Sequence, residues 1–418
     1  MEVRAGYKLT EVGMIPEDWE VKRIADFASV GSGGTPSRAI AAYWNGSIPW
    51  ITTSQIDFGT IYEAQQFITD EGLQNSAAKL LPAGTLLMAL YGQGKTRGKV
   101  GVLGSPASTN QACASIALDE SVSREFILQY LTSRYEEIRT SSNSGSQENL
   151  SGSIVKGLLV ASPQLPEQRA IAAALDDLDA LLAGLDRLIA KKRDLKQAAI
   201  QQLLTGQTRL PGFRGEWEVK RLGDHVRFLK NGVNSRAELA TNGSIKYLHY
   251  GDIHVASGTV LDRTALPCLS EEKARALDRL ADGDLVFVDA SEDMDGVGKS
   301  VEIIGASHSE LVAGLHTIAA RFDPSILANG FKAYLQFCPP FRRHLRRLAA
   351  GTKVYATNRG HIATVEMPLP SPEEQTAIAI VLSDMNAELS TLEARRDKTR
   401  ALKQAMMQEL LSGRTRLV

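Results

Sequence analysis

The chain writes one long amphipathic helix twice, and no other feature limits its possible folds as much. The first copy runs from Pro166 to Leu210 and the second from Pro372 to Leu417. Pro166-Glu167-Gln168-Arg169-Ala170-Ile171 opens one, and Glu374-Gln375-Thr376-Ala377-Ile378 opens the other. Without a gap, Leu195-Lys196-Gln197-Ala198 maps onto Leu402-Lys403-Gln404-Ala405, and Leu203-Leu204-Thr205-Gly206 onto Leu410-Leu411-Ser412-Gly413. Thr208-Arg209-Leu210 likewise maps onto Thr415-Arg416-Leu417. A repeat this long implies two copies of one unit in tandem, a pseudo-twofold object.

The repeat reaches beyond the helices. Trp19-Glu20-Val21-Lys22-Arg23-Ile24 recurs as Trp217-Glu218-Val219-Lys220-Arg221-Leu222, whereas the segments between opener and helix share only a skeleton. Gly84 before an apolar run resembles Gly283, and Tyr130-Leu131 resembles Tyr334-Leu335. The order is therefore a variable domain at 1–165, a shared helix at 166–210, a variable domain at 211–370 and a shared helix at 371–418.

Both helices carry a heptad seam. In the first it is Ile171, Leu175, Leu178, Leu182, Leu185 and Ile189, continuing through Lys192, Lys196, Ala199 and Leu203. In the second it is Ile378, Leu382, Met385, Leu389 and Leu392, then Arg396, Thr399, Lys403, Met406 and Leu410. Sustained spacing of this kind predicts an antiparallel two-helix coiled coil, each helix a rod of about 55 Å. Where the seam turns polar, Leu195 and Leu402, one position off it, are expected to take over the packing. The alternative is that the seam cations fix register or face another subunit. Gly206 and Gly413 sit where helix stops belong.

The variable domains read as mixed α/β (α+β). Ile48–Ile51, Leu86–Leu90, Leu285–Val288 and Ser300–Ile304 have strand character, and Phe126–Arg139 and Phe331–Leu348 helix character. Polar, glycine-rich loops join them, and binding residues concentrate on such loops. In the first domain Gln93, Lys95, Thr96, Arg97 and Lys99 alternate with glycine, and Asn143, Gln147 and Asn149 follow the helix. In the second, Arg343 and Arg347 end a basic helix, followed by Lys353, Tyr355, Asn358 and Arg359. Cations suit phosphates, amides suit adenine and arginine suits guanine, so these fourteen residues are the candidate DNA contacts. A solvated loop is the plainer reading of any one of these stretches; their recurrence at equivalent places favours function.

Composition excludes several classes. Hydrophobic residues make up 43% and net charge is −1, so the chain is no polycation, and any nucleic-acid contact needs local basic patches. The three cysteines, Cys113, Cys268 and Cys338, have neither disulfide nor zinc spacing, which fits a reducing cytosol. No signal peptide or membrane-spanning run is evident, so a cytoplasmic protein without membrane contact is expected. Three motifs fail on inspection. Gly94-Lys95-Thr96 lacks the P-loop's first glycine, since Ala89 stands there. Cys338-Pro339-Pro340-Phe341 resembles the catalytic tetrapeptide of adenine methyltransferases with the wrong first residue, and reads better as a break between helical segments. Ser291, Asp293 and Asp295 follow EF-hand spacing but begin with Ser and lie between strands. No metal site and no catalytic constellation is expected.

Taken together, the chain resembles the specificity subunits of type I restriction-modification systems over its whole length. The resemblance rests on the opener from Tyr7 to Trp19, on Gly34-Thr35-Pro36-Ser37 and on the Tyr91–Lys99 loop with Asn110-Gln111-Ala112. Gly314-Leu315-His316-Thr317 and the two Pro-Glu-Gln helices complete it. It implies that each variable domain recognises one half of a bipartite, asymmetric target in double-stranded DNA, with the helix pair as a ruler for the unread spacer. It also implies a non-catalytic chain without its own cofactor. That chain recruits two modification subunits, which use AdoMet to methylate adenine at N6, and through them two restriction subunits using ATP and Mg. An orphan or phage-borne subunit serving a borrowed methyltransferase, and a DNA-independent coiled-coil adaptor, are the alternatives.

Overall fold

The computed structural model describes residues 4–92, 95–141, 149–256, 259, 261, 265–294, 296–305, 310–349 and 354–417. Two compact units result, and the first is not a contiguous stretch of chain. One comprises residues 1–186 with 394–418, the other residues 187–393. The central helix is Leu165–Leu203 and the distal helix Pro372–Leu410. Each unit thus takes the beginning of one long helix and the end of the other.

In the first unit a five-stranded sheet runs in the order Ala28–Ser32, Cys113–Leu118, Leu86–Ala89, Val100–Leu103, Thr60–Ile61. A three-stranded sheet runs Ser108–Thr109, Trp44–Ile51, Gln66–Ile68. The second unit repeats this plan. Val226–Phe228, Thr317–Phe322, Leu285–Val288 and Ser300–Glu302 form one sheet, and Glu310–Ala313, Ile245–Leu248 and Cys268–Leu269 the other. The central strands Leu86–Ala89 and Leu285–Val288 are apolar at every position because both faces are covered. Period-two geometry sends Leu86 and Met88 into the core shared with the long helices, and Leu87 and Ala89 into a second core with Ile51 and Ile56. Leu285 and Phe287 divide from Val286 and Val288 in the same way. The first unit's helix-facing core includes Ile171, Leu175, Leu410 and Leu411; the second unit's includes Ile200, Leu203, Ile378 and Leu382.

Every seam residue is buried or half-buried, as its spacing requires. The expectation for Leu195 and Leu402 fails: they are 47% and 51% exposed. Charge pairs fill the polar stretches instead. In the first unit Lys403 reaches Asp179 at 2.6 Å and Arg396 lies 3.8 Å from Asp186, a falling sequence against a rising one, so the segments run antiparallel. In the second unit Lys192 meets Glu388 at 2.7 Å and Arg193 meets Glu393 at 2.5 Å. A leucine cannot supply this matching, because an ion pair fixes which residue faces which.

The Glu-Gln pair at each helix entry shows why it is written twice. Glu167, 3% exposed, takes two bonds from Arg416, at 2.5 and 2.8 Å, and one from the Trp19 indole at 3.2 Å. Glu374, 1% exposed, takes two from Arg209, at 2.5 and 2.6 Å, and one from the Trp217 indole at 3.2 Å. Each arginine follows the other copy's helix, past a glycine at φ +71° (Gly206) or +68° (Gly413). At Gly413 a Cβ would also strike Pro16, so glycine is required there twice over. The glutamines tie in the domains: Gln168 bonds Ser123 N and Pro163 O, and Gln375 bonds Ala328 N and Pro370 O. The buried glutamate of each helix entry thus serves as one half of a latch.

The latch yields a stability prediction. Arg416→Ala strands the buried Glu167 carboxylate. It should cost on the order of 2 kcal/mol, less than the ~3–5 for a fully buried pair because the guanidinium is 34% exposed. Arg209→Ala should cost a similar amount, read as a lower urea midpoint; unchanged midpoints in both variants would mean that the latches carry no stability.

Candidate nucleic-acid interface

In each unit the candidate loops meet at one end of the larger sheet. The first unit's loop is the connection between Leu86–Ala89 and Val100–Leu103. Lys95 is exposed and Thr96 half-buried, and the Lys95 carbonyl accepts from the Tyr135 hydroxyl at 2.5 Å. Arg97 is turned inward, 8% exposed. Lys99 pairs with Asp57 at 2.7 Å and lies 5.6 Å from the Phe58 ring centroid. Asn149 is half-buried beside this loop, since Leu150 N donates to Leu90 O at 3.0 Å. Gln93, Asn143 and Gln147 lie outside the described residues.

The structure adds residues that local spacing did not single out. Arg139 donates to the Tyr135 hydroxyl at 2.9 Å, which places a cation on the loop's other flank. Thr35 hydrogen-bonds Gln111, and the Arg38 guanidinium lies 3.8 Å from the Trp44 ring centroid. The signal was present for Thr35 and Gln111, which sit in quoted motifs, but their partnership spans the fold.

In the second unit the matching loop joins Leu285–Val288 to Ser300–Glu302. Tyr355 comes to it through strand pairing, with Ser291 opposite, and Thr357 N donates to Asp289 O at 2.7 Å. Asn358 caps a short helix by accepting from His361 N at 2.9 Å. Arg359 donates to Leu229 O at 2.8 Å and to Asn231 Oδ1 at 3.0 Å. Asp293, one of the EF-hand-spaced residues, accepts from Gly296 N at 2.6 Å and closes a turn. Lys353 lies outside the described residues, as does Asp295.

Arg343 and Arg347 are exposed on the helix Pro339–Leu348, whose Phe341 and Leu345 face inward. Arg343 belongs to a different place: a groove of about 440 Å³ lined by Gln197, Ile200, Gln201 and Thr205 of the central helix, with Phe337 opposite. The first unit has the equivalent groove, about 390 Å³, lined by Gln404, Met407, Gln408 and Ser412 of the distal helix, with Ser133 and Arg134 opposite. The helical walls occupy matching positions of the repeat. Cys338 precedes the helix, whose first residue is Pro339, so the Pro-Pro tetrapeptide is the expected break.

Electrostatics follow burial and pairing. The Arg416 guanidinium holds the Asp18 carboxyl below its usual range, and its two carboxylates raise Arg416 in turn. Burial pushes the Cys113 and Cys338 thiols up to about 12, which fits inert core cysteines. Burial, reinforced by Arg236, lowers His249. No helix among the described residues is long and apolar enough to cross a membrane.

Comparison with known proteins finds similarity to one family. The model of the type I restriction modification DNA specificity domain matches residues 16–191. Beyond that domain, the chain is similar to specificity subunits of type I restriction enzymes over nearly its whole length. It is 28% identical to the MjaIX specificity subunit of Methanocaldococcus jannaschii over 251 residues, 55% of this chain and 56% of that one. With the MjaVIII specificity subunit of the same organism it shares 22% over 417 residues, 96% and 94% of the two chains. The fold matches the crystal structure of the system's S subunit from M. genitalium at a TM-score of 0.59 and 14% identity, covering 96% of this chain and 97% of that one.

Arg359 and Lys95 should separate by stability. Arg359→Ala leaves the carbonyl of buried Leu229 without that donor and should cost about 1–2 kcal/mol. Lys95→Ala, at an exposed site, should stay within about 0.5 kcal/mol. Equal midpoints in urea for the two variants would show that Arg359 does not anchor its loop.

Proposed function

We propose that this specificity subunit reads a bipartite, asymmetric sequence in double-stranded DNA, one half through each unit's loop cluster. The observation that carries this reading is a repeated framework with unlike loops: the larger sheets share an order of four strands, and the candidate residues of the two units differ throughout. Two readers of different bases need this division, since phosphate and frame contacts position a protein while base contacts specify. The unread spacer would follow from the lengths of the central and distal helices. The chain itself would do no chemistry. AdoMet would sit on the modification subunits, and ATP and Mg on restriction subunits bound through them.

The paired grooves support a count of two modification subunits. Gln197, Gln201 and Thr205 recur as Gln404, Gln408 and Ser412 although the domains opposite have diverged. A surface kept twice in one chain suits one partner bound twice.

Selection of random duplexes by the full chain should return two unrelated motifs around a gap of fixed length. Replacing residues 211–370 by another family domain should change one motif only; a change in both would defeat the modular reading. Added negative charge in one groove, Gln201→Glu with Arg343→Glu, should reduce bound modification subunits from two to one by native mass measurement. Retention of two would remove the grooves from assembly.

A further inference from the structure

Among the described residues, three non-glycines take a positive φ: Asn45, Phe58 and His316. His316, at φ +56°, sits in the turn between Glu310–Ala313 and Thr317–Phe322. A left-handed non-glycine residue is retained only where its surroundings impose it, and such residues cluster at functional sites. Here the surroundings are specific. The Asp289 amide donates to the His316 carbonyl at 3.2 Å, and Thr317 Oγ1 donates to Gly314 O at 2.7 Å. Leu315 N donates to the buried Tyr247 hydroxyl at 2.9 Å.

The side chain is held as firmly as the backbone. His316 Nδ1 lies 3.2 Å from Asp289 Oδ1, and the Tyr250 ring meets the imidazole edge-on at 5.5 Å between centroids. The imidazole nevertheless stays 51% exposed. Asp289 is itself fixed, since its carbonyl accepts from Thr357 N beside Asn358 and Arg359. His316 therefore stands within the loop cluster that already holds Tyr355 and Arg359. An ionised carboxylate only accepts, so Nδ1 carries the proton in this pair. In the neutral ring that leaves Nε2 as an acceptor on the side Asp289 does not occupy.

The first unit has the equivalent turn. Asn110 N donates to Ile51 O as Gly314 N donates to Leu248 O, and Cys113 pairs with Ala89 as Thr317 pairs with Val288. His316 thus corresponds to Ala112, and Leu315 to Gln111. The two copies have exchanged which turn residue carries polar atoms, within a framework otherwise kept.

We propose that His316, oriented by Asp289 and Tyr250, is a base-reading residue of the second unit. Its Nε2 accepts a hydrogen bond from an exocyclic amine, adenine N6 or cytosine N4, in the major groove. This rests on the DNA-reading function proposed above. The test selects random duplexes with the full wild-type chain, then with His316→Ala and His316→Phe. Both variants should lose discrimination at one position of one half-motif, by roughly 5- to 150-fold. The other half-motif should be unchanged, and it serves as the internal control for folding. In the preferred duplex, replacing the contacted base by its analogue without the amine (purine for adenine, 2-pyrimidinone for cytosine) should weaken wild type and leave His316→Ala indifferent. No two-part motif with wild type overturns the proposed function and this inference with it. A wild-type motif that survives intact in both variants, or a loss shared by both halves, overturns the inference alone.

Discussion

A carboxylate removed from water needs a cation and further donors, or its burial costs several kilocalories per mole. Glu167 and Glu374 are both so placed, and each is met by an arginine and an indole. The arginine never comes from the glutamate's own helix. Arg416 follows the distal helix and serves the start of the central one; Arg209 follows the central helix and serves the start of the distal one. This reciprocity explains why the first unit is completed by a segment more than 200 residues further along the chain. It also explains why the repeat includes residues past each helix stop, where helix propensity alone has no use for Thr-Arg-Leu.

Much of the frame was legible because its signals are local. The heptad steps, the two stop glycines and the Trp-Glu-Val-Lys-Arg opener can each be read within a few turns of chain, and the structure uses all three. The misreading at Leu195 and Leu402 arose because one helix's spacing says nothing about the charges facing it. Asp179 and Glu388 lie more than 190 residues from Lys403 and Lys192, and only the pairing shows that these cations match an opposing charge.

The candidate interface was legible in part, for the same reason. Tyr355, Asn358 and Arg359 do gather at the second unit's sheet end, where glycine-rich connections pointed. Arg97 is turned inward and Arg343 lines a helix groove, because composition cannot tell which way a loop or helix face points. His316 lay inside a quoted motif without being a candidate. Its left-handed backbone and its bond to Asp289, 27 residues away, leave no trace in local spacing.

The division of the chain also sets an order of events during synthesis. Residues 187–393 contain every segment the second unit requires, including Arg209 and Glu374. The first unit still lacks the distal helix's last turns and Arg416 when that stretch is complete. Chains emerge from the ribosome N-terminus first and domains generally close as units. The domain translated first is therefore closed after the second, and Glu167 waits for its counter-ion until Arg416 has been made.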